Sequence, residues 1–479
     1  MDEVTFPLPP AVWATVPPAA QALIVLQQQR IAGLEARVQA LEARLGQDSG
    51  NSARPPSSDL PKPPLRGRPG PSGRKPGAQP GHDAHQRTLL ARDRVDAVVD
   101  HWPERCQHCQ TALPAAPALV TAAPVRHQVT EVPPLRATVT EHRLHRVRCP
   151  HCGDQTRAGL PMDVPWGSFG PRLAAVVALL SGRYRLSRRE VAAVVADLLG
   201  VDLAVGSVDG LCQQAAAALA PPQAQLEQAL PQAERVHADE TSWRQAGHSR
   251  WLWVAVAPTC TVFRIAASRG SNVIKGLLGE DFAGWLTTDR WSAYSWVPLD
   301  RRQVCWAHLR RDFQAVIDWN GPGRALAEQV LAIMGQVFTL WHQARDRLDL
   351  REWFIEQVAP LQAEVRTLLE AGLLGRDPKL PTLSRQLLKL WPALWTFVTV
   401  VGVEPTNNRA EQAIRPAVLW RKGSFGTQSD DGARFVERML SVAATCKQQG
   451  RHLLDYLTAV CTAAQQGQPI PLLLLSQGA

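Results

Sequence analysis

Arg235-Val-His-Ala-Asp-Glu-Thr-Ser-Trp243 decides the fold, because after Ala233 the spacing of apolar residues changes from helical to alternating. It reads as a strand. Arg250 to Ala257 and Thr261 to Ala267 then form a hairpin turning at Pro258-Thr259, Ser271 to Leu278 a helix, Ala283 to Asp289 a fourth strand and Arg302 to Trp306 a fifth.

Three strands, a helix, a strand, a helix and a strand is the order of a ribonuclease-H-like α/β core. In such a sheet the first and fourth strands are neighbours, so Asp239 and Asp289 come together and can share a pair of magnesium ions. Two metals roughly 4 Å apart both activate a nucleophile and stabilise a leaving oxygen, which is what phosphodiester cleavage requires. A third acid is expected from a helix returning to the sheet. Glu411 fits, since Pro405-Thr406-Asn407-Asn408 looks like a helix start, near which a carboxylate stays ionised. Strand alternation sends only one of Asp239 and Glu240 to the metal face, and pattern alone does not choose. Arg415 is placed for an i,i+4 pair with Glu411, and Pro416 should kink or end that helix.

Working outward, residues 315–400 carry helical spacing throughout, too long for an unstructured loop, and read as an all-helical insertion between 233–314 and 401–427 of the core. Within it Trp319, Trp391 and Trp395 are expected mainly as core. Residues 428–479 form a helical tail. Upstream, 167–232 is helical: Leu186-Ser187-Arg188-Arg189 opens one helix, Gly200 ends it and Gly206-Ser207 opens the next. That is either a helix-turn-helix, with Arg188 and Arg189 near a DNA backbone, or a plain bundle.

The module at 85–166 contains Cys106-Gln-His-Cys109 and Cys149-Pro-His-Cys152, two thiolate pairs suited to one tetrahedral, structural zinc ion. Val125 to Val132 and Leu135 to Val147 read as the arms of a long hairpin in this zinc ribbon. Residues 47–84 are a Pro- and Gly-rich tether, with six Lys or Arg against one acid between Asn51 and His82. At 20–46 apolar residues recur every seven: Ile24, Ile31, Val38 and Leu45 at a, Leu34 and Leu41 at d. This predicts a dimerising coiled coil, with an amphipathic helix packed on its own domain as the alternative. The whole is a multidomain α+β chain.

Composition agrees with a polyanionic partner, since 52 Lys and Arg against 43 Asp and Glu leave a net charge of +9 over 479 residues. No leader, and no apolar run of the roughly 18 residues that suggest a membrane span, is read in the sequence, so a cytoplasmic location is expected.

The strings His237-Ala-Asp-Glu-Thr-Ser-Trp243, Thr288-Asp-Arg-Trp-Ser-Ala-Tyr294, Cys305-Trp-Ala-His308, Thr406-Asn-Asn-Arg-Ala-Glu-Gln-Ala-Ile-Arg-Pro416, Arg421-Lys-Gly-Ser-Phe-Gly426 and Asn51-Ser-Ala-Arg-Pro-Pro-Ser-Ser-Asp59 resemble the insertion-sequence sixty-six family of DDE transposases. The resemblance implies a bacterial enzyme that cleaves transposon ends and transfers the 3′-hydroxyl to target DNA. It implies Asp239, Asp289 and Glu411 as the acids holding two Mg2+ or Mn2+ ions, with Asp239 preferred to Glu240. DNA, as terminal repeats and target, is the expected partner, with nucleoid association when bound, a homodimer or higher assembly, and small accessory proteins of the same element. Arg421 and Lys422 are candidates for end phosphates, and Cys305, His308 and Arg415 are site-adjacent, with a buried, hydrogen-bonded histidine as the alternative for His308. The alternatives are a catalytically inactive zinc-containing DNA-binding protein and a nuclease of the same fold.

Overall fold

The computed structural model describes residues 10–45, 47, 88–165 and 167–474, so residues 48–84 of the tether lie outside the described residues. The chain divides into two compact units, residues 61–137 and the remainder.

In the 61–137 unit the described backbone is largely irregular. Val125 to Val132 forms no strand, and its Val125 is 98% exposed. Side chains replace the expected ladder there, as Arg126 and Gln128 donate to the Leu90 carbonyl and Gln128 accepts the Leu90 amide. The second arm, Leu135 to Val147, is equally irregular until residue 146, with Val139 90% exposed. A strand with neither a paired edge nor a buried face gains too little to order itself. Neither residues 125–132 nor residues 135–145 form the strand expected of them.

The larger unit begins with helices α1 (Pro10–Trp13) and α2 (Pro18–Leu45), then a two-stranded ladder of β1 (Arg146–Arg148) and β2 (Gln155–Arg157). On α2 the seam residues Ile31, Leu34, Val38, Leu41 and Leu45 are all exposed. Four helices follow: α3 (Pro171–Gly182), α4 (Arg188–Leu199), α5 (Val205–Ala218) and α6 (Ala220–Ala229). Ser187 opens α4 with a reciprocal cap to Glu190, and Gly200 closes it at φ 66°, a conformation glycine adopts without strain.

The central sheet has β3 (Arg235–Gln245), β4 (His248–Val256), β5 (Thr261–Ala266), β6 (Trp285–Thr288) and β7 (Arg302–Val304), in the order β5-β4-β3-β6-β7. β3 is antiparallel to β4 and parallel to β6, so the first strand lies central, with the fourth beside it. Helix α7 (Ser271–Leu278) crosses from β5 to β6. The helix expected between β6 and β7 is instead two single 3-10 turns, Ser292–Tyr294 and Leu299–Arg301. Here the Asp289 carboxylate takes the Trp291 amide, and Pro298 has no amide hydrogen to continue a helix.

Helices α8 (Trp306–Trp319), α9 (Arg324–Ala344), α10 (Arg351–Leu373), α11 (Leu380–Lys389), α12 (Trp391–Leu394) and α13 (Thr396–Thr399) share their own apolar core, running from Val304 to Val403. Trp395 is buried in it, Trp391 packs against it, and Lys379 lies over the half-buried Trp319. The chain returns in α14 (Asn408–Ser424), α15 (Asp430–Gln448) and α16 (Leu453–Gln465). These pack with the sheet and α3–α6 in one larger core. Pro416 does not end α14, which runs on to Ser424; the carbonyl it leaves free belongs to exposed Gln412, where water can satisfy it.

Helix α15 also closes an edge of the sheet. Glu437, Ser441 and Thr445, spaced four apart on one helical face, accept the amides of Ile265, Phe263 and Thr261, spaced two apart on β5. An edge strand that would otherwise present free amides is thereby covered.

Candidate active site

Asp239 sits mid-way along β3 and Asp289 one residue past β6, which pairs with β3 in parallel. Glu411 lies in the first turn of α14, and the start of that helix is stapled to the sheet. The Asn407 side-chain amide donates to the Ala238 carbonyl at 2.8 Å, its backbone amide to the Cys305 sulfur at 3.1 Å, and the Trp306 amide to the Pro405 carbonyl at 2.8 Å. Three bonds therefore fix the start of α14 against β3 and the start of α8. The Asp239 carboxyl is held well above its ordinary pKa, first by burial and then by Glu240, Asp289 and Glu411. Concentrated negative charge at a buried carboxyl is the electrostatic form of a cation site.

The two neighbouring acids of β3 take opposite surroundings. Glu240 is enclosed by Arg269 at 2.8 Å and by the Tyr294 hydroxyl, which donates to it at 2.5 Å. Arg269 in turn lies over the rings of Trp291, at 4.0 Å, and Trp251, at 4.6 Å. Glu240 thus holds the loop that follows Asp289, while Asp239 has its own neighbour Glu240 N as donor.

Glu411 pairs with His308 and Arg311, each at 3.5 Å, and Arg415 is exposed, so the anticipated Glu411–Arg415 pair is replaced by contacts to α8. Among the described residues, the group whose ligand atoms all lie within 4.8 Å of one another is Cys305, His308 and Glu411. The three acids of the triad are not gathered that closely. Of that group, Cys305 is buried, its thiol pushed up to about 11, and it accepts the Asn407 amide. It serves as a neutral packing and hydrogen-bonding group. Burial also pushes the His308 imidazole down, and His308 Nδ1 and Glu411 Oε1 are both buried without a hydrogen bond. A hard cation taken by oxygen donors suits that orphaned carboxylate oxygen.

The basic candidates divide. Arg188 is engaged inside the bundle, at 3.1 Å from Asp209, against Ser181 and over Phe435, whereas Arg189 is exposed. Arg421 donates to Thr241 and Ser242 and, with exposed Lys422 and Phe425, lines a cavity of about 500 Å3 beside Arg250 and Trp251. Sequence reasoning missed Arg269, Asn407 and Arg311 as members of the site. Asn407 and Tyr294 stand inside the family-like strings Thr406–Pro416 and Thr288–Tyr294, but nothing about Arg269 or Arg311 distinguishes them from surface arginines.

The two cysteine pairs occupy matching turns, each within its own unit. Cys106 N donates to Thr111 O and Gln110 N to Cys106 O; Cys149 N donates to Asp154 O and Gly153 N to Cys149 O. The residues after each pair, Gln110 at φ 58° and Gly153 at φ 78°, are both left-handed. Hydrogen bonds, led by that with Thr111, lower the Cys109 thiol to about 7, and bonds from the Cys152 and His151 amides lower Cys149. Thiols so disposed deprotonate readily, as metal binding requires.

Residues 167–435, which carry the bundle, sheet, insertion and α14, match the family model of the Transposase IS66 family. The chain belongs to that family. Residues 10–88 match a family of unknown function, DUF6444. Two relatives from Sinorhizobium fredii (strain NBRC 101917 / NGR234) are similar: Uncharacterized protein y4qI, 28% identical over 50% of this chain and 49% of its own length, and Uncharacterized protein y4hP, 24% identical over 66% and 63%. The chain thus spans about half to under two thirds of the length of these curated relatives. Among the described residues, no helix is long and apolar enough to cross a membrane.

Proposed function

We propose that this IS66-family chain cleaves the ends of its element and joins the freed 3′-hydroxyl to target DNA, with Asp239, Asp289 and Glu411 as the acids of a ribonuclease-H-like centre. The observation that carries this reading is geometric: β3, which holds Asp239, pairs in parallel with β6, which Asp289 follows, and Asn407 at the start of the Glu411 helix donates to the Ala238 carbonyl. Strand order supports it too, because the central first strand beside the fourth brings the two aspartates together. These carboxylates would hold magnesium or manganese, which when bound would supply activation of the attacking hydroxyl and charge stabilisation at the leaving oxygen. Asn407 positions Glu411, Glu240 with Arg269 and Tyr294 positions the loop after Asp289, and Arg421 and Lys422 offer charge to the backbone of bound DNA. Exposed Arg189 on α4 offers a further charge to DNA. Each cysteine pair offers two thiolates to a structural zinc, and the exposed seam of α2 pairs two copies.

The test incubates the purified chain with its element's ends, Mg2+ and a target plasmid, then sequences junctions. Joined 3′ ends that vanish in Asp239→Asn, Asp289→Asn and Glu411→Gln, with end binding retained, support the proposal. Nicks without joined products favour a nuclease of this fold, and end binding with neither favours an inactive DNA-binding protein.

A further inference from the structure

A cavity of about 400 Å3 lies where β3, α9, α10 and the start of α14 meet, and none of the roles above uses it. Arg235, Arg345, Arg351, Arg409, His237 and Trp341 face it. Two acids also line it, and both are taken: Asp346 lies 3.0 Å from Arg345, and Glu404 2.8 Å from Arg409. Arg351 has no acid partner among the described residues and donates only to the Phe397 carbonyl, at 3.0 Å, its Nε buried and unbonded. Arg235 donates to the Val401 carbonyl at 3.1 Å, and the acid nearest it is Glu234, 3.9 Å away with a side chain 80% exposed. The cavity therefore holds a surplus of two guanidinium charges.

A second observation is independent of charge. His237 is 6% exposed, and its Nδ1 is buried without a hydrogen bond of normal geometry, with the Asn407 side chain close by. A buried polar atom is seldom left unbonded, so its persistence beside two guanidinium groups with no close acid partner points to a ligand that bonds them. Gly402, at φ 78°, makes the arrangement possible, because a side chain there would collide with the Arg235 guanidinium.

We propose that this cavity is a phosphate site, in which Arg235 and Arg351 bind the oxyanion and His237 Nδ1 completes its hydrogen bonds. Guanidinium forks match phosphate oxygens in geometry and charge. The site is distinct from the acidic centre yet in register with it. His237 precedes Asp239 by two residues on the same face of β3, about 7 Å along the strand. A phosphate of a DNA strand crossing the acids meets this chemistry, as does free phosphate. The inference rests on the cavity alone and stands whether or not the three acids catalyse.

The full-length chain and the double variant Arg235→Gln, Arg351→Gln are compared with two probes, a 20-base-pair duplex of arbitrary sequence and inorganic phosphate. If a backbone phosphate fills the site, the variant binds the duplex about tenfold more weakly, and its log K against log salt slope falls by about one. Phosphate then competes no better than chloride of equal ionic strength. If free phosphate fills it, millimolar phosphate raises the melting temperature of the wild type alone, and duplex affinity is unchanged. Dicarbonyl labelling of arginines in the wild-type chain, read by peptide mass spectrometry, does not depend on the variant folding. Protection of Arg235 and Arg351 by either probe supports the site. Unchanged labelling with both probes, together with a variant that binds both like the wild type, overturns it.

Discussion

Asn407 donates its side-chain amide to the Ala238 carbonyl across 169 residues of sequence, at 2.8 Å. One hydrogen bond thus ties the residue before Asp239 to the residue before the helix that carries Glu411, with the whole inserted helical bundle lying between them in the chain. The insertion can exist because its two ends, Cys305 and Asn407, are themselves bonded. It is a loop closed at its base.

Asn407→Ala should cost about 1–2 kcal/mol in unfolding free energy, because it leaves a buried carbonyl unpaired. End cleavage should fall further than stability accounts for, since Glu411 loses its registration with Asp239. Urea unfolding and single-turnover cleavage, measured together, check this. Loss of stability with undiminished cleavage would show that the Asn407 bond does not position the acid.

Much of this arrangement is legible in the chain. The Ser187 cap, Gly200, the turn at Pro258-Thr259 and the strand and helix bounds are set by local backbone chemistry, and they fall within a few residues of where spacing puts them. Long-range chemistry is less legible. Glu411 turns to His308 and Arg311 on α8 rather than to its own helix neighbour Arg415, because the closure of the insertion brings a second helix nearer than local spacing suggests. Arg188 likewise has the composition of a DNA contact but is consumed by Asp209 and Phe435. Val125 and Val139 alternate like strand residues, and no sheet forms around them because nothing among the described residues covers them. Periodicity reports which face is apolar, not whether a partner exists.

One equivalent of zinc per chain is expected by metal analysis, with sulfur in its coordination sphere by X-ray absorption. Cys149→Ser should lower zinc content by more than half and weaken DNA binding while leaving the unfolding of the sheet domain unchanged. Full zinc retention by Cys149→Ser would exclude this cysteine as a ligand.

The exposed seam of α2 should pair two copies in solution. Ile31→Asp with Val38→Asp puts two charges at a positions, so sedimentation at micromolar concentration should show a shift toward monomer. An unchanged assembly, with helix content preserved by circular dichroism, would assign self-association to another surface.

Glu437 gives a prediction in pH. Burial raises its pKa above the ordinary glutamate value of about 4.3, although the Ile265 amide and Arg434 oppose the shift. The native chain therefore holds this proton more tightly than the unfolded chain. In the window from about 4.3 up to the raised value, unfolding releases a proton, so this group's contribution to stability falls as pH rises. Glu437→Gln keeps an oxygen for the Ile265 amide and removes the buried charge, so it should flatten that slope and leave stability at pH 7 unchanged or higher. Glu437→Ala strands the amide of a buried edge strand and should lose about 1–3 kcal/mol at every pH. Urea unfolding at pH 4.5 and 7 separates the two. If Glu437→Gln loses as much at pH 7 as Glu437→Ala, the 2.6 Å ion pair with Arg434 outweighs the burial of the charge, and the edge of β5 is held by that pair rather than by a neutral acceptor.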